Sequence, residues 1–262
     1  MPPLLSILLV MLVTLWVAWL AGAFSGRRSG RWLTAVQEAT VTKYFPFHAT
    51  LGPEAQERFE RVTGRFLQDK EWQGAGMELK EEMKVMISAC AAQLLHGFDE
   101  RITLAHFDRI IVFPSAFRGH RKDRYHQGEV GPRAGTIKIS WAHFLHGYKA
   151  SSDAHNVGLH EMAHALWFED FIPNHEDGFL DPLLLQDWKI LGDQETAAIR
   201  AGKPSLLRDY AATNQEEFFA VAMEYFFERS VDFKAELPEL YAVLCGLLKQ
   251  DPLADHGVEI TH

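Results

Sequence analysis

Leu159-His160-Glu161-Met162-Ala163-His164-Ala165-Leu166 is the stretch on which the reading of this chain turns. Its apolar residues Leu159, Met162, Ala163 and Leu166 fall at i, i+3, i+4 and i+7, the spacing of one helix face. A helix is therefore expected here, started by Asp153 or Asn156 as N-cap. His160 and His164 lie one turn apart beside the buried stripe, so both imidazoles can reach one ion. The pattern is H-E-x-x-H. Zinc suits two neutral imidazole nitrogens, and Glu161, next to the first, can act as general base on a water that attacks a peptide carbonyl.

Outward from this helix the hydrophobic period changes. Upstream, Ile110-Ile111-Val112-Phe113, stopped by Pro114, reads as a buried strand. Thr136-Ile137-Lys138-Ile139-Ser140-Trp141 alternates and reads as a half-exposed strand that lines a cleft and holds peptide by strand addition. Between them, residues 117–135 are rich in Gly, Arg, His and Lys, too long for a tight hairpin, and suited to a further strand or a gating loop. Further upstream, Glu54–Leu67 and Leu79–Leu95 carry apolar residues at helical spacing. Downstream of Trp141 the chain is helical, broken by Pro173, Pro182, Pro204 and Pro238. Helices, then a small sheet, then helices imply an α+β fold, mainly helical with a small mixed sheet, rather than a doubly wound one.

A catalytic zinc site takes three protein ligands, so a third is needed. In the metzincin continuation of the motif, Trp167 stands at the Gly position and Asp170 at the last His position. His175 lies on an unconstrained loop. The helix Gln215–Glu228 offers Glu216, Glu217 and Glu224. Glu217 also suits a capping box with Asn214, and Glu224 suits a solvated carboxylate two turns on. Periodicity alone leaves the choice open. Tyr210, on the residues alone, reads as a loop aromatic packing its ring inward.

Several blocks together resemble the Mlc titration factor A family of gluzincin-type zinc peptidases. They are Phe66 to Trp72 with Gly74 and Gly76, Ile110 to Pro114, Gly135 to Trp141, Asn156 to His164, and Tyr210 to Asn214 running into Glu217-Phe218-Phe219-Ala220 and Tyr225-Phe226-Phe227. The resemblance covers roughly residues 54–250. It implies a zincin-like fold over residues 46–262 and one zinc ion per chain held by His160, His164 and Glu217. It also implies Glu161 as base and Tyr210 as the active-site tyrosine that steadies the oxyanion. The implied activity is peptide-bond hydrolysis on a peptide or protein substrate. The alternative it brings is a regulatory module that sequesters a cytoplasmic partner with weak or no proteolysis. Two features depart from the family pattern. Leu166 is followed by Trp167 where family members commonly show Leu-Asp, and an apolar amino-terminal segment is added.

That segment, Leu4–Phe24, holds no charged residue, and as a helix it would rise about 31 Å, the thickness of a bilayer core. Arg27, Arg28 and Arg31 follow it and none precedes it, which favours an uncleaved single-pass anchor in the cytoplasmic membrane with the catalytic domain in the cytoplasm. The competing reading is a signal peptide cleaved after Ala21-Gly22-Ala23 and a secreted enzyme. Residues 25–45 read as a juxtamembrane linker. The net charge of −9 argues against nucleic-acid binding, and Cys90 and Cys245 are too few for a disulfide framework.

Overall fold

The computed structural model describes residues 32–119, 125–150, 152–172 and 178–254. The expected anchor at 4–24, the arginines after it and His175 lie outside the described residues. Among the described residues no helix is long and apolar enough to cross a membrane.

Thr34 opens the first described helix, α1 (Ala35–Tyr44), with a reciprocal cap. Gln37 N–H donates to Thr34 Oγ1 at 3.3 Å, and Thr34 N–H donates to Gln37 Oε1 at 2.8 Å. Leu33, Val41 and Phe45 are buried in the core. The second half of the stretch read as a linker is thus folded, and the compact unit begins at Leu33. A short helix α2 (Pro46–Thr50) follows. Helix α3 (Pro53–Asp69) starts with proline at its first turn and buries Phe59, Val62 and Phe66 on one face. After strand β1 (Glu71–Gly74), helix α4 (Glu81–Leu95) is buried along nearly its whole length, from Met83 to Leu95.

Four strands form the main sheet: β1, β2 (Arg109–Phe113), β5 (Gly128–Gly131) and β6 (Thr136–Ser140), while β3 (Phe117–Arg118) and β4 (Tyr125–His126) make a separate antiparallel pair. The main order is β1-β2-β6-β5, with β1, β2 and β6 parallel and β5 antiparallel to β6. The register sets Ile110 beside Ile137 and Val112 beside Ile139, all four buried. The half-exposed reading of 136–141 is corrected. β6 is flanked by strands on both sides and buried at every position but Lys138, so it has no free edge for strand addition. Its apparent alternation arises because Thr136 and Ser140 are buried polar residues, Ser140 Oγ sharing a 2.7 Å hydrogen bond with His143 Nδ1. The edge beside β6 is β5, inside the stretch 117–135 read as a further strand or a gating loop. Trp141 begins a helix, α5 (Trp141–Lys149).

Further helices follow among the described residues: α6 (Val157–Phe171), α7 (Pro182–Arg200), α8 (Gln215–Glu228), α9 (Ser230–Glu236) and α10 (Pro238–Leu248). Helix α6 packs on α4, α8 and the β5–β6 end of the sheet. It is buried nearly all round, its polar residues Glu161, His164 and Glu169 included. Gly158 permits this closeness, since a Cβ there would meet the Phe144 ring and Cys90 Sγ. The α+β, mainly helical architecture with a small mixed sheet is as the sequence implies.

Candidate metal centre

Two helix starts bring the candidate ligands together. Asn156 caps α6, its Oδ1 accepting the Leu159 N–H at 3.1 Å. Asn214 caps α8 in the same way, accepting the Glu217 N–H at 2.8 Å. The cap leaves the Glu217 side chain free to turn outward from its own helix toward α6. His160, His164 and Glu217 then meet. His160 Nε2 lies 3.2 Å from His164 Nε2 and 3.1 Å from Glu217 Oε2, and His164 Nε2 lies 3.3 Å from Glu217 Oε2.

This triangle fits a bound cation. Four ligands about 2.0–2.1 Å from a tetrahedral zinc stand about 3.3–3.4 Å apart, close to the three separations found. The surrounding charge points the same way. Glu161 and Glu224 are 6% and 2% exposed, so with Glu217 three carboxylates crowd two imidazoles and the Arg208 guanidinium. Burial alone would raise the pKa of Glu217, but hydrogen bonds from the two imidazoles outweigh it and hold the carboxylate well below its usual range. Burial alone would lower His160, but Glu217 and Glu224 raise it to about 10. Two imidazole nitrogens facing each other at 3.2 Å need a proton or a metal between them and the carboxylate.

Glu224 is a correction to the sequence reading. It is not a solvated carboxylate but one of the most buried acids, and it faces the opposite side of the His160 ring. Its Oε1 accepts from His160 Nδ1 at 2.7 Å and from the Arg208 guanidinium, and its Oε2 accepts the Asn156 N–H at 2.7 Å. A fixed carboxylate on Nδ1 holds that nitrogen protonated and aims the Nε2 lone pair at the triangle. Arg208 is tied down in turn by the Ala154 carbonyl. The spacing of Glu217 and Glu224, seven residues on one helix face, was the available signal.

His164 is supported differently. Its Nδ1 is buried with no hydrogen-bond partner among the described residues. Its ring is held by packing, stacked on Phe168 at 6.3 Å and edge-on to His160 at 4.8 Å. Trp167, where the resemblance leads one to look for an acid, packs on Phe171 and Phe219.

The other candidates fall away from the centre. Asp170 accepts the Leu180 N–H at 2.9 Å and so closes a loop. Glu216 is not among the side chains gathered there.

Glu161 is pressed against the edge strand. A Cβ on residue 128 would overlap its carboxylate, so only glycine lets β5 run this close. Burial raises the Glu161 pKa against the pull of the two histidines. Tyr210 sits in a 3-10 turn, Asp209–Ala212, pinned by Arg200, whose Nη2 donates to the Ala212 carbonyl at 2.6 Å. Contrary to an inward-packed aromatic, it is half exposed, with its ring centroid 6.2 Å from that of His160. Burial and the Glu217 carboxylate, to which it hydrogen-bonds, push its phenol further above the ordinary range, so it stays protonated. His160, Glu161, Tyr210, Arg208, Gly128 and His126 line one cleft of about 370 Å3.

Residues 26–249 match the family described as glucose-regulated metallo-peptidase M90. The chain belongs to that family. Among its relatives, an uncharacterised protein of Synechocystis sp. is 28% identical over 232 residues, covering 82% of this chain and 84% of the relative. Mlc titration factor A of Enterobacter sp. is 26% identical over 235 residues, 79% of this chain and 84% of the relative. The protein of that name from Klebsiella pneumoniae strain 342 is 25% identical over 262 residues, 90% and 91% of the two chains. As an M90 family member the chain falls among proteins named as metallopeptidases, and the family name and the cluster of His160, His164 and Glu217 both imply a metal.

Proposed function

We propose that this M90 family member is a zinc-dependent peptidase of gluzincin type on a zincin-like fold, with His160, His164 and Glu217 as metal ligands. The convergence of those three side chains within 3.3 Å of one another carries the reading. When bound, zinc would polarise a substrate carbonyl and acidify an attacking water. Three protein ligands leave a fourth position for that chemistry.

The chain's own residues do the rest. Glu161 takes a proton from water as its oxygen joins the carbonyl carbon. Its raised pKa makes it a stronger base than an exposed carboxylate. The Tyr210 O–H donates to the oxyanion that develops on the former carbonyl oxygen. As the C–N bond breaks, Glu161 hands its proton to the leaving nitrogen. An extended substrate lies along β5, whose outer edge has no strand partner among the described residues.

The test is Glu161→Gln. Metal content is expected to hold while hydrolysis of a peptide mixture falls by about 10²–10⁴-fold, the usual contribution of a general base. An unchanged rate contradicts the mechanism.

A second reading rests on the printed name of relatives, Mlc titration factor A. In it the chain binds a cytoplasmic regulatory protein and hydrolyses little. Partner capture that survives His160→Ala, with no hydrolysis by the unmutated protein, favours it. In either reading we place residues 4–24 in the cytoplasmic membrane with the folded unit in the cytoplasm, on the strength of the apolar run and the arginines after it. Release of the protein from membranes by alkaline carbonate would contradict that placement.

A further inference from the structure

Arg208 is the one lysine or arginine among the described residues that line the metal cleft. It is the N-cap of the 3-10 turn that carries Tyr210, and both residues line the same opening. Its Nη2 donates to Glu224 Oε1, the oxygen that also accepts from His160 Nδ1. The guanidinium is therefore one carboxylate removed from a proposed ligand ring. Its Nη1 donates to the Ala154 carbonyl.

These contacts leave donors over. A guanidinium carries five N–H groups in a fixed fork, and described residues take two of them. The Arg208 side chain keeps 21% of its surface exposed, against 2% for Glu224. Nor is its charge fully cancelled. Glu224 is one carboxylate shared among three donors: the Arg208 guanidinium, the His160 imidazole and the Asn156 N–H. The other acids of the centre, Glu161 and Glu217, lie against β5 and the histidines. A guanidinium already held by two fixed partners loses little freedom when a further group docks. Its planar fork matches a carboxylate, and it repels an ammonium.

We propose that Arg208 is a specificity-determining residue that receives a carboxylate of the substrate next to the scissile bond. The inference deepens the peptidase reading and rests on it for the identity of the ligand as a substrate. Tyr210 faces the oxyanion in that reading, and Arg208 stands two residues away on the same turn and one carboxylate from His160. A group on Arg208 therefore belongs to a residue at or beside the reacting carbonyl. Two sources carry this chemistry: an Asp or Glu side chain beside the bond, and the α-carboxylate of a C-terminal residue.

The test is calorimetric titration of the full-length protein with two matched pairs of blocked peptides. A chelator is present, so that no metal takes the carboxylate or cleaves the peptide. One pair is acetyl-Ala-Ala-Glu-Ala-Ala-amide and its Gln counterpart. The other is acetyl-Ala-Ala-Gln-Ala-Ala as the free acid and as the amide. The acid member of at least one pair is expected to bind at least about tenfold more tightly, because its neutral counterpart lacks the charge-assisted hydrogen bond. A response in the first pair assigns the side chain as source, and a response in the second the chain terminus. Arg208→Gln is expected to level the responding pair, and Arg208→Lys to retain part of the preference. A residue that only braces Glu224 would change both members of a pair alike. Equal binding within both pairs, no binding of any peptide, or a preference that survives Arg208→Gln would each overturn the proposal. The comparison within pairs runs on the unmutated protein and stands even if the variants fail to fold. Hydrolysis of the same peptides by the zinc-loaded protein tests the peptidase reading separately. Acid preference without hydrolysis would overturn that reading and leave the carboxylate site, and hydrolysis without acid preference would do the reverse.

Discussion

Glu224 Oε1 stands 2.7 Å from His160 Nδ1, on the side of the ring opposite to Glu217. His160 is therefore clamped between two carboxylates, one at each nitrogen. A carboxylate that fixes the tautomer of a ligand histidine typically accounts for about 10–100-fold in metal affinity. Glu224→Ala is expected to lose affinity in that range, measured by competition with a chromophoric chelator. The variant also strands Arg208, so its thermal stability should fall too. Unchanged affinity would show that Glu224 only packs.

Gly128 makes a sharper demand. Its missing side chain is the space that the Glu161 carboxylate occupies. Gly128→Ala forces β5 away or Glu161 out of place. Overpacking of this kind costs about 1–3 kcal/mol, so the melting temperature should drop by several degrees. Hydrolysis should fall more steeply than stability does, because the displaced group is the proposed base. A variant with full activity would show that the base lies elsewhere.

Tyr210→Phe separates the oxyanion role from a packing role. The ring remains, and only the hydroxyl that touches Glu217 is lost. Removing one oxyanion donor costs about 10²–10³-fold in kcat. Little change in KM and in melting temperature should accompany that loss. A rise in KM with kcat preserved would assign Tyr210 to substrate binding alone.

Glu228 gives a pH signature that requires no substrate. Burial pushes its folded pKa up to about 7, above the ordinary carboxylate value of 4.5. The folded state therefore holds the extra proton between those values. The stability this contributes is full below pH 4.5 and is lost as pH rises through 7. Glu228→Gln removes the titration. Relative to the unmutated protein, the variant should gain in melting temperature between pH 5 and pH 8. A difference that is flat with pH would place Glu228 at an ordinary pKa.

What the sequence discloses and what it withholds divide along a physical line. Helix α6 was legible because Leu159, Met162, Ala163 and Leu166 repeat at 3.6-residue spacing, and its start was legible because Asn156 is a good cap. The pairing of His160 with His164 follows from one helical turn. The choice of Glu217 over Glu216 and Glu224 does not, because it depends on how α8 crosses α6, a matter of tertiary packing. The capping box expected of Glu217 is only half made: its N–H is capped by Asn214, but its carboxylate goes to the histidines. Glu224 was misread because helical periodicity places a charge on a face without revealing whether another helix covers it. β6 was misread in a related way. Alternation marks two faces of a strand but not whether both edges are paired, and Thr136 and Ser140 are polar residues buried all the same. Helix α1 was overlooked despite a capping signal in the sequence, Thr34 followed three residues on by Gln37.

The claim that underlies the rest is a single metal held by His160, His164 and Glu217. Elemental analysis of the purified protein, beside His160→Ala and Glu217→Ala, tests it most directly. The account predicts about one zinc per chain in the unmutated protein, the stoichiometry of one tetrahedral site, and its loss or marked weakening in both variants. No zinc in the unmutated protein after refilling, or full retention in Glu217→Ala, would contradict it.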